Sequence, residues 1–210
     1  EALDAKDPLG AFRERFVIPQ GRVYLDGNSL GLPARDSIEG VLRVLEEWKT
    51  LNIDGWLEGR IPWFNLPEEM GRRMAPLVGA LPQEVVMSGS TTSNLHSLVL
   101  TFYQPEGKRR KILADELNFP SDLYALASEI RLKGGDPATD LVLARSKDGS
   151  TLEEEDLIAL MDETVSVVLL PSVLYRSGQL LDMERLTRAA HEKGIFIGFD
   201  CAHSAGSVPH

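Results

Sequence analysis

Cys201 is the only cysteine in this 210-residue sequence. One thiol excludes an internal disulfide and suits a reducing, cytoplasmic setting. Basic residues are also scarce. Lys and Arg number 22 against 32 Asp and Glu, for a formal net charge of −10. Without a basic footprint, no nucleic-acid partner is expected. The cluster Lys108-Arg109-Arg110-Lys111 reads as a solvated loop ahead of a strand. No apolar run approaches the roughly 20 residues of a bilayer span, so no membrane partner is expected either. No secretory pattern opens the chain. The four histidines, His96, His191, His203 and His210, show no metal-ligand spacing. Neither GxGxxG nor GxxxxGKS/T occurs, which removes the two commonest phosphate-loop signatures.

What is present is ordinary in composition: 43% hydrophobic and 26% charged residues. That suits a globular protein with one sizeable core. The first stretch, Asp4 to Phe16, reads as a short helix with Leu9, Phe12 and Phe16 on one side. Val23-Tyr24-Leu25 is a short extended piece. A helix begins near Pro33 to Asp36, and Ile38, Val41, Leu42, Leu45 and Trp48 recur at helical spacing. Residues 51–66 read as a loop rich in aromatics, suited to covering or lining something. A further helix is expected from Pro67 to Gly79.

From residue 84 the pattern alternates. Strands are expected at Glu84–Met87, Lys111–Ala114, Asp140–Leu143, Val165–Leu170 and Ile195–Phe199. Helices are expected at Ser93–Phe102, Ser121–Leu132, Leu152–Met161 and Met183–Lys193. The nearly continuous apolar strands suit a parallel sheet covered on both faces. The expected fold is therefore α/β, a three-layer α/β/α arrangement with a mainly parallel sheet, preceded by an N-terminal helical segment. The expected division is an N-terminal segment over 1–66 and the first part of a ligand-binding large domain over 67–210.

Such sheets bind ligands beyond the carboxyl ends of their strands. Ser88-Gly89-Ser90-Thr91-Thr92-Ser93-Asn94 offers hydroxyls and free N–H groups at a helix start, either an anion site or an ordinary cap. Asn118-Phe119-Pro120-Ser121-Asp122 offers an aromatic ring at a strand end, for stacking on a cofactor or for the core. Pro171-Ser172-Val173-Leu174-Tyr175 is a polar loop that says little alone. Asp200 closes a buried strand, and His203 follows it. A carboxylate placed there needs a partner. A protonated pyridine nitrogen, as in pyridoxal phosphate (PLP), is a suitable one. Cys201 reads as structural and not as a nucleophile beside His203.

Taken together, Tyr24-Leu25-Asp26-Gly27-Asn28-Ser29-Leu30-Gly31, Thr91-Thr92-Ser93-Asn94-Leu95-His96, Phe119-Pro120-Ser121-Asp122 and Gly198-Phe199-Asp200-Cys201-Ala202-His203 resemble the kynureninases. These are PLP enzymes of the aspartate-aminotransferase fold type. The resemblance implies hydrolytic cleavage of L-kynurenine to anthranilate and L-alanine in tryptophan catabolism, by a homodimer. It implies that Thr91 and Thr92 hold the phosphate and that Phe119 stacks on the pyridine ring, within a Phe119-Pro120-Ser121-Asp122 cofactor segment. It implies that Asp200 pairs with the ring nitrogen beside His203, and that Ser172 is a further cofactor contact. Asn28, Ser29 and Trp56 would lie toward the substrate. Tryptophan at position 56 resembles the bacterial type and implies a preference for kynurenine over its 3-hydroxy form. The family's Schiff-base lysine follows the Asp-x-x-His turn by a few tens of residues, past His210. The chain is thus expected to be the front part of an enzyme. The alternatives are another PLP enzyme of this fold, such as a cysteine desulfurase, and a non-catalytic binding protein.

Overall fold

Four parallel strands form one sheet in a computed structural model that describes Leu3 and residues 6–210. Two compact units divide the chain: one holds residues 1–76 and 80–87, the other residues 77–79 and 88–210.

The second unit opens with α4 (Thr91–Phe102), after three helices of the first unit. Then come β1 (Lys111–Asp115), α5 (Pro120–Leu132), the single turn α6 (Pro137–Asp140), β2 (Leu141–Ala144), α7 (Glu154–Leu160), β3 (Val165–Pro171), α8 (Met183–Glu192) and β4 (Phe196–Asp200). The strand order is β2-β1-β3-β4. Every residue of β3 is buried, as a central strand covered on both faces must be. Side chains alternate across the sheet. Ile112, Ala114, Val167 and Leu169 pack with Leu95 and Val99 of α4 and Leu126 and Ile130 of α5. Leu113, Val168 and Leu170 pack on the other face with Leu157 of α7 and Leu186 and Ala190 of α8. The result is the expected α/β/α sandwich.

The chain runs outward from β1 to β2, then returns to lay β3 on the other side of β1. That reversal opens a crevice beyond the carboxyl ends of β1 and β3, where α/β sheets bind their ligands.

The first unit carries α1 (Arg35–Leu51), α2 (Gly55–Glu58) and α3 (Leu66–Met74), with 3-10 turns at Gly10–Arg15, Asn52–Asp54, Trp63–Asn65, Ala75–Leu77 and Pro82–Glu84. The helical spacing of Ile38, Val41, Leu42, Leu45 and Trp48 is borne out, but all five remain exposed. No residue of α1 is buried, so periodicity found the helix without finding a core.

Three readings need correction. The expected strand at Glu84–Met87 does not form: Val85 is extended, but no neighbouring strand among the described residues supplies a ladder. This segment instead lies against α3 at Gly71, where any Cβ would collide with the Val85 carbonyl. Of the expected helix from Asp4 to Phe16, the described residues form the 3-10 turn at Gly10–Arg15, and Asp4 itself lies outside the described residues. Residues 51–66 are largely helical turns, not loop, because Trp63 packs its indole onto Gly55. A Cβ on Gly55 would sit 2.5 Å from that ring.

Leu170, fully enclosed in β3, tests the core. Leu170→Ala is expected to cost about 2–5 kcal/mol in chemical denaturation; a loss below about 1 kcal/mol would place the strand outside the core.

Candidate functional site

The carboxyl ends of β1, β3 and β4 and the starts of α4 and α5 bring most of the expected residues together within the second unit. Phe119 caps α5, and Pro120 occupies the first helical position, where its missing N–H costs nothing. The Phe119 ring stays partly exposed and meets Tyr175 edge-on at 5.2 Å between centroids. His203 lies 6.5 Å from Phe119 and stacks on Tyr175 at 6.1 Å. Three flat rings thus gather around one point.

Three acids belong to the same segments. Asp122 is 1% exposed, accepts a 3.3 Å bond from the Ser121 hydroxyl, and leaves Oδ2 buried without a partner. Burial, then the neighbouring Asp200 carboxylate, push its carboxyl up to about 6. Asp115, at the end of β1, is fully buried and is likewise pushed up to about 6 by burial. Its Oδ1 accepts the Leu117 N–H at 2.9 Å, while its Oδ2 has no partner. Asp200 ends β4, and its Oδ1 accepts the Ala202 N–H at 2.9 Å. None of the three acids forms an ion pair among the described residues. The Asn118 amide nitrogen and His203 Nδ1 are also buried without a partner.

Thr91 and Thr92 form the first turn of α4, whose cap is Ser90 accepting the Ser93 N–H at 3.2 Å. Their own N–H groups have no intrahelical partner, and the helix dipole favours an anion there. Thr91 and Asp200 line the same cavity of about 490 Å³, with Asn94, Leu98, His191 and Gly198 among its walls.

Ser172 sits differently from a surface ligand contact. It is fully enclosed, with its hydroxyl 2.6 Å from Ser204 Oγ and 3.1 Å from the Asp200 carbonyl. Asn28, Ser29 and Trp56 belong to the first unit. Asn28 and Ser29 lie in a turn closed by the Ser29 and Leu30 N–H groups on the Asp26 carbonyl. Trp56 stands half-exposed in α2.

Sequence reasoning missed Asp115, Asn118, Tyr175 and Ser204. The signal for Asp115 was available: like Asp200, it is an acid that ends an apolar strand.

The arrangement has a definite chemical character. Buried acids without cations, a set of rings and an anion-binding helix start suit a flat cationic heterocycle with an anionic tail. Residues 64–210 match the model of the aminotransferase class-V family. The chain belongs to that family. A kynureninase of Geobacillus thermodenitrificans is 58% identical over 208 residues, 99% of this chain and 49% of that protein. The chain therefore spans about half the length of the curated relatives it matches. Among solved structures, the apo cysteine desulfurase of Thermococcus onnurineus superposes with a TM-score of 0.72 at 20% identity, over 94% of this chain and 48% of that one. A C-DES structure reaches 0.74 at 15% identity, over 94% and 51%. At those identities the likeness is one of fold. No helix among the described residues is long and apolar enough to cross a membrane.

The shifted acids carry a stability prediction. Between the ordinary value of 3.8 and about 6, the folded state holds protons that the unfolded chain has released. Stability of the cofactor-free full-length protein therefore falls as pH rises through that window. Asp122→Asn is expected to flatten this slope and raise the melting temperature at neutral pH. An unchanged slope with a lower melting temperature would contradict the burial argument.

Proposed function

We propose that the chain is the N-terminal half of a kynureninase, which binds PLP and cleaves L-kynurenine with water to anthranilate and L-alanine. The observation that carries this is the buried Asp122 carboxyl beside the half-buried Asp200, neither with a cation partner, at the strand ends where Phe119, Tyr175 and His203 gather. The 58% identity to a kynureninase over nearly the whole chain supports the substrate assignment. A C-DES structure is described with glycine covalently linked to its PLP cofactor, which supports the cofactor.

When bound, PLP supplies an electron sink for the pair released as bonds at a substrate amino acid break. This chain's residues hold it there. Asp200 accepts the ring N–H and keeps that nitrogen protonated, with Asp122 adding a second negative group. Phe119 stacks on the ring, held at its angle by Pro120 and Ser121. Thr91 and Thr92 bind the phosphate at the start of α4. His203 lies beside the ring, and Ser172 anchors the Asp200 carbonyl from behind. Asn28, Ser29 and Trp56 contact the substrate, and Trp56 favours kynurenine over its 3-hydroxy form. The remaining proposals are a homodimer in the cytoplasm and a boundary near residue 67, where the cofactor-binding domain begins.

Asp200→Ala in the full-length enzyme is expected to lower kcat by orders of magnitude with the fold retained. Anthranilate fluorescence follows turnover, and circular dichroism follows the fold. Near-normal turnover would remove Asp200 from its role. Release of sulfide from cysteine without anthranilate from kynurenine would move the protein to the desulfurases.

A further inference from the structure

Asp200 can serve its role only if its carboxylate points in a fixed direction. It is the last residue of β4, which pairs with β3. Opposite Asp200 stands Pro171. The Asp200 carbonyl takes the slanted bond of a parallel ladder from the next residue, Ser172, whose N–H donates at 2.9 Å and whose hydroxyl lies at 3.1 Å.

That hydroxyl has its own partner. Ser204 Oγ lies 2.6 Å away, and both serines are fully buried. Ser204 directly follows His203, and its N–H closes the turn on the Cys201 carbonyl at 3.0 Å. The turn is thus gripped from two sides: the Ala202 N–H on the Asp200 carboxylate, and the serine pair behind the Asp200 carbonyl.

Two hydroxyl protons face three acceptors: the Asp200 carbonyl, the facing serine oxygen and the Cys201 carbonyl. If Ser204 donates to Ser172, then Ser172 donates to Asp200, using contacts of 2.6 and 3.1 Å. In the reverse order, Ser204 must donate to the Cys201 carbonyl over 3.4 Å. The shorter set wins, because hydrogen bonds weaken as they lengthen.

We propose that Ser204 is a positioning residue: by donating to Ser172 it directs the Ser172 hydroxyl onto the Asp200 carbonyl, and so fixes the Asp200 carboxylate and the His203 ring. Ser204 touches no reacting atom and acts through its neighbours. The inference rests on the proposed cofactor-holding role of Asp200.

The test uses the full-length protein, with Ser204→Ala, Ser172→Ala and the double variant. Three quantities are read: the PLP dissociation constant by equilibrium dialysis, the pH titration of the bound cofactor's absorbance, and the melting temperature of the cofactor-free protein. Ser204→Ala is expected to weaken PLP binding about tenfold, as loss of an outer-shell hydrogen bond does at metal sites. It is expected to shift the absorbance titration while the cofactor-free melting temperature barely moves. The double variant is expected to bind PLP no more weakly than Ser172→Ala, because the two hydroxyls act as one unit. A lower melting temperature with unchanged PLP affinity and titration would overturn the proposal, leaving Ser204 a packing residue. Effects that simply add would overturn it as well. If Ser204→Ala does not fold, Ser172→Ala decides, and unchanged affinity there would sink the idea. Failure of the unsubstituted protein to bind PLP would instead sink the functional reading itself.

Discussion

Uncompensated negative charge at one end of a parallel sheet is the constraint around which this site is organised. The charges of Asp115 and Asp200 both reach Asp122, and burial drives Asp115 and Asp122 toward the neutral form. A fold shaped by stability alone would place apolar groups there. Retaining the acids makes sense where a cationic ligand is to be held, since such sites trade stability for binding.

The backbone brings this about with simple means. The reversal between β1 and β3 opens the crevice, and two strands that end in aspartate, β1 and β4, deliver acids to that end of the sheet. Pro120 starts α5 at once, so that Phe119 faces outward while Asp122, one turn in, faces inward. The core beneath is divided into two apolar clusters on the two faces of the sheet, so the strand ends rest on a rigid base.

Much of this was legible in the sequence, for physical reasons. Val165–Pro171 and Phe196–Asp200 are apolar runs too short and too continuous to be read otherwise, and Asp200 stands out because it interrupts one. Phe119 and Asp122 follow a strand across a proline, a turn whose geometry is predictable. Asp115 escaped because the strand expected at Lys111–Ala114 stops one residue short of the end of β1. Tyr175 and Ser204 escaped because their partners, Phe119 and Ser172, lie 56 and 32 residues away, and periodicity carries no such distance. The Glu84–Met87 segment has strand-like composition but no ladder, since pairing is a property of the neighbour as much as of the sequence. The stripe on α1 shows the same gap from the other side: spacing predicts a helix, and only packing decides what covers it.

The central claim is that Asp200, supported by Asp122, keeps a bound pyridine nitrogen protonated. The most direct measurement is nitrogen-15 NMR of full-length protein loaded with PLP labelled at the ring nitrogen. A pyridinium signal that persists well above neutral pH, and collapses to the neutral pyridine position in Asp200→Ala, is the predicted result. A neutral ring nitrogen in the unsubstituted protein at neutral pH would contradict the account.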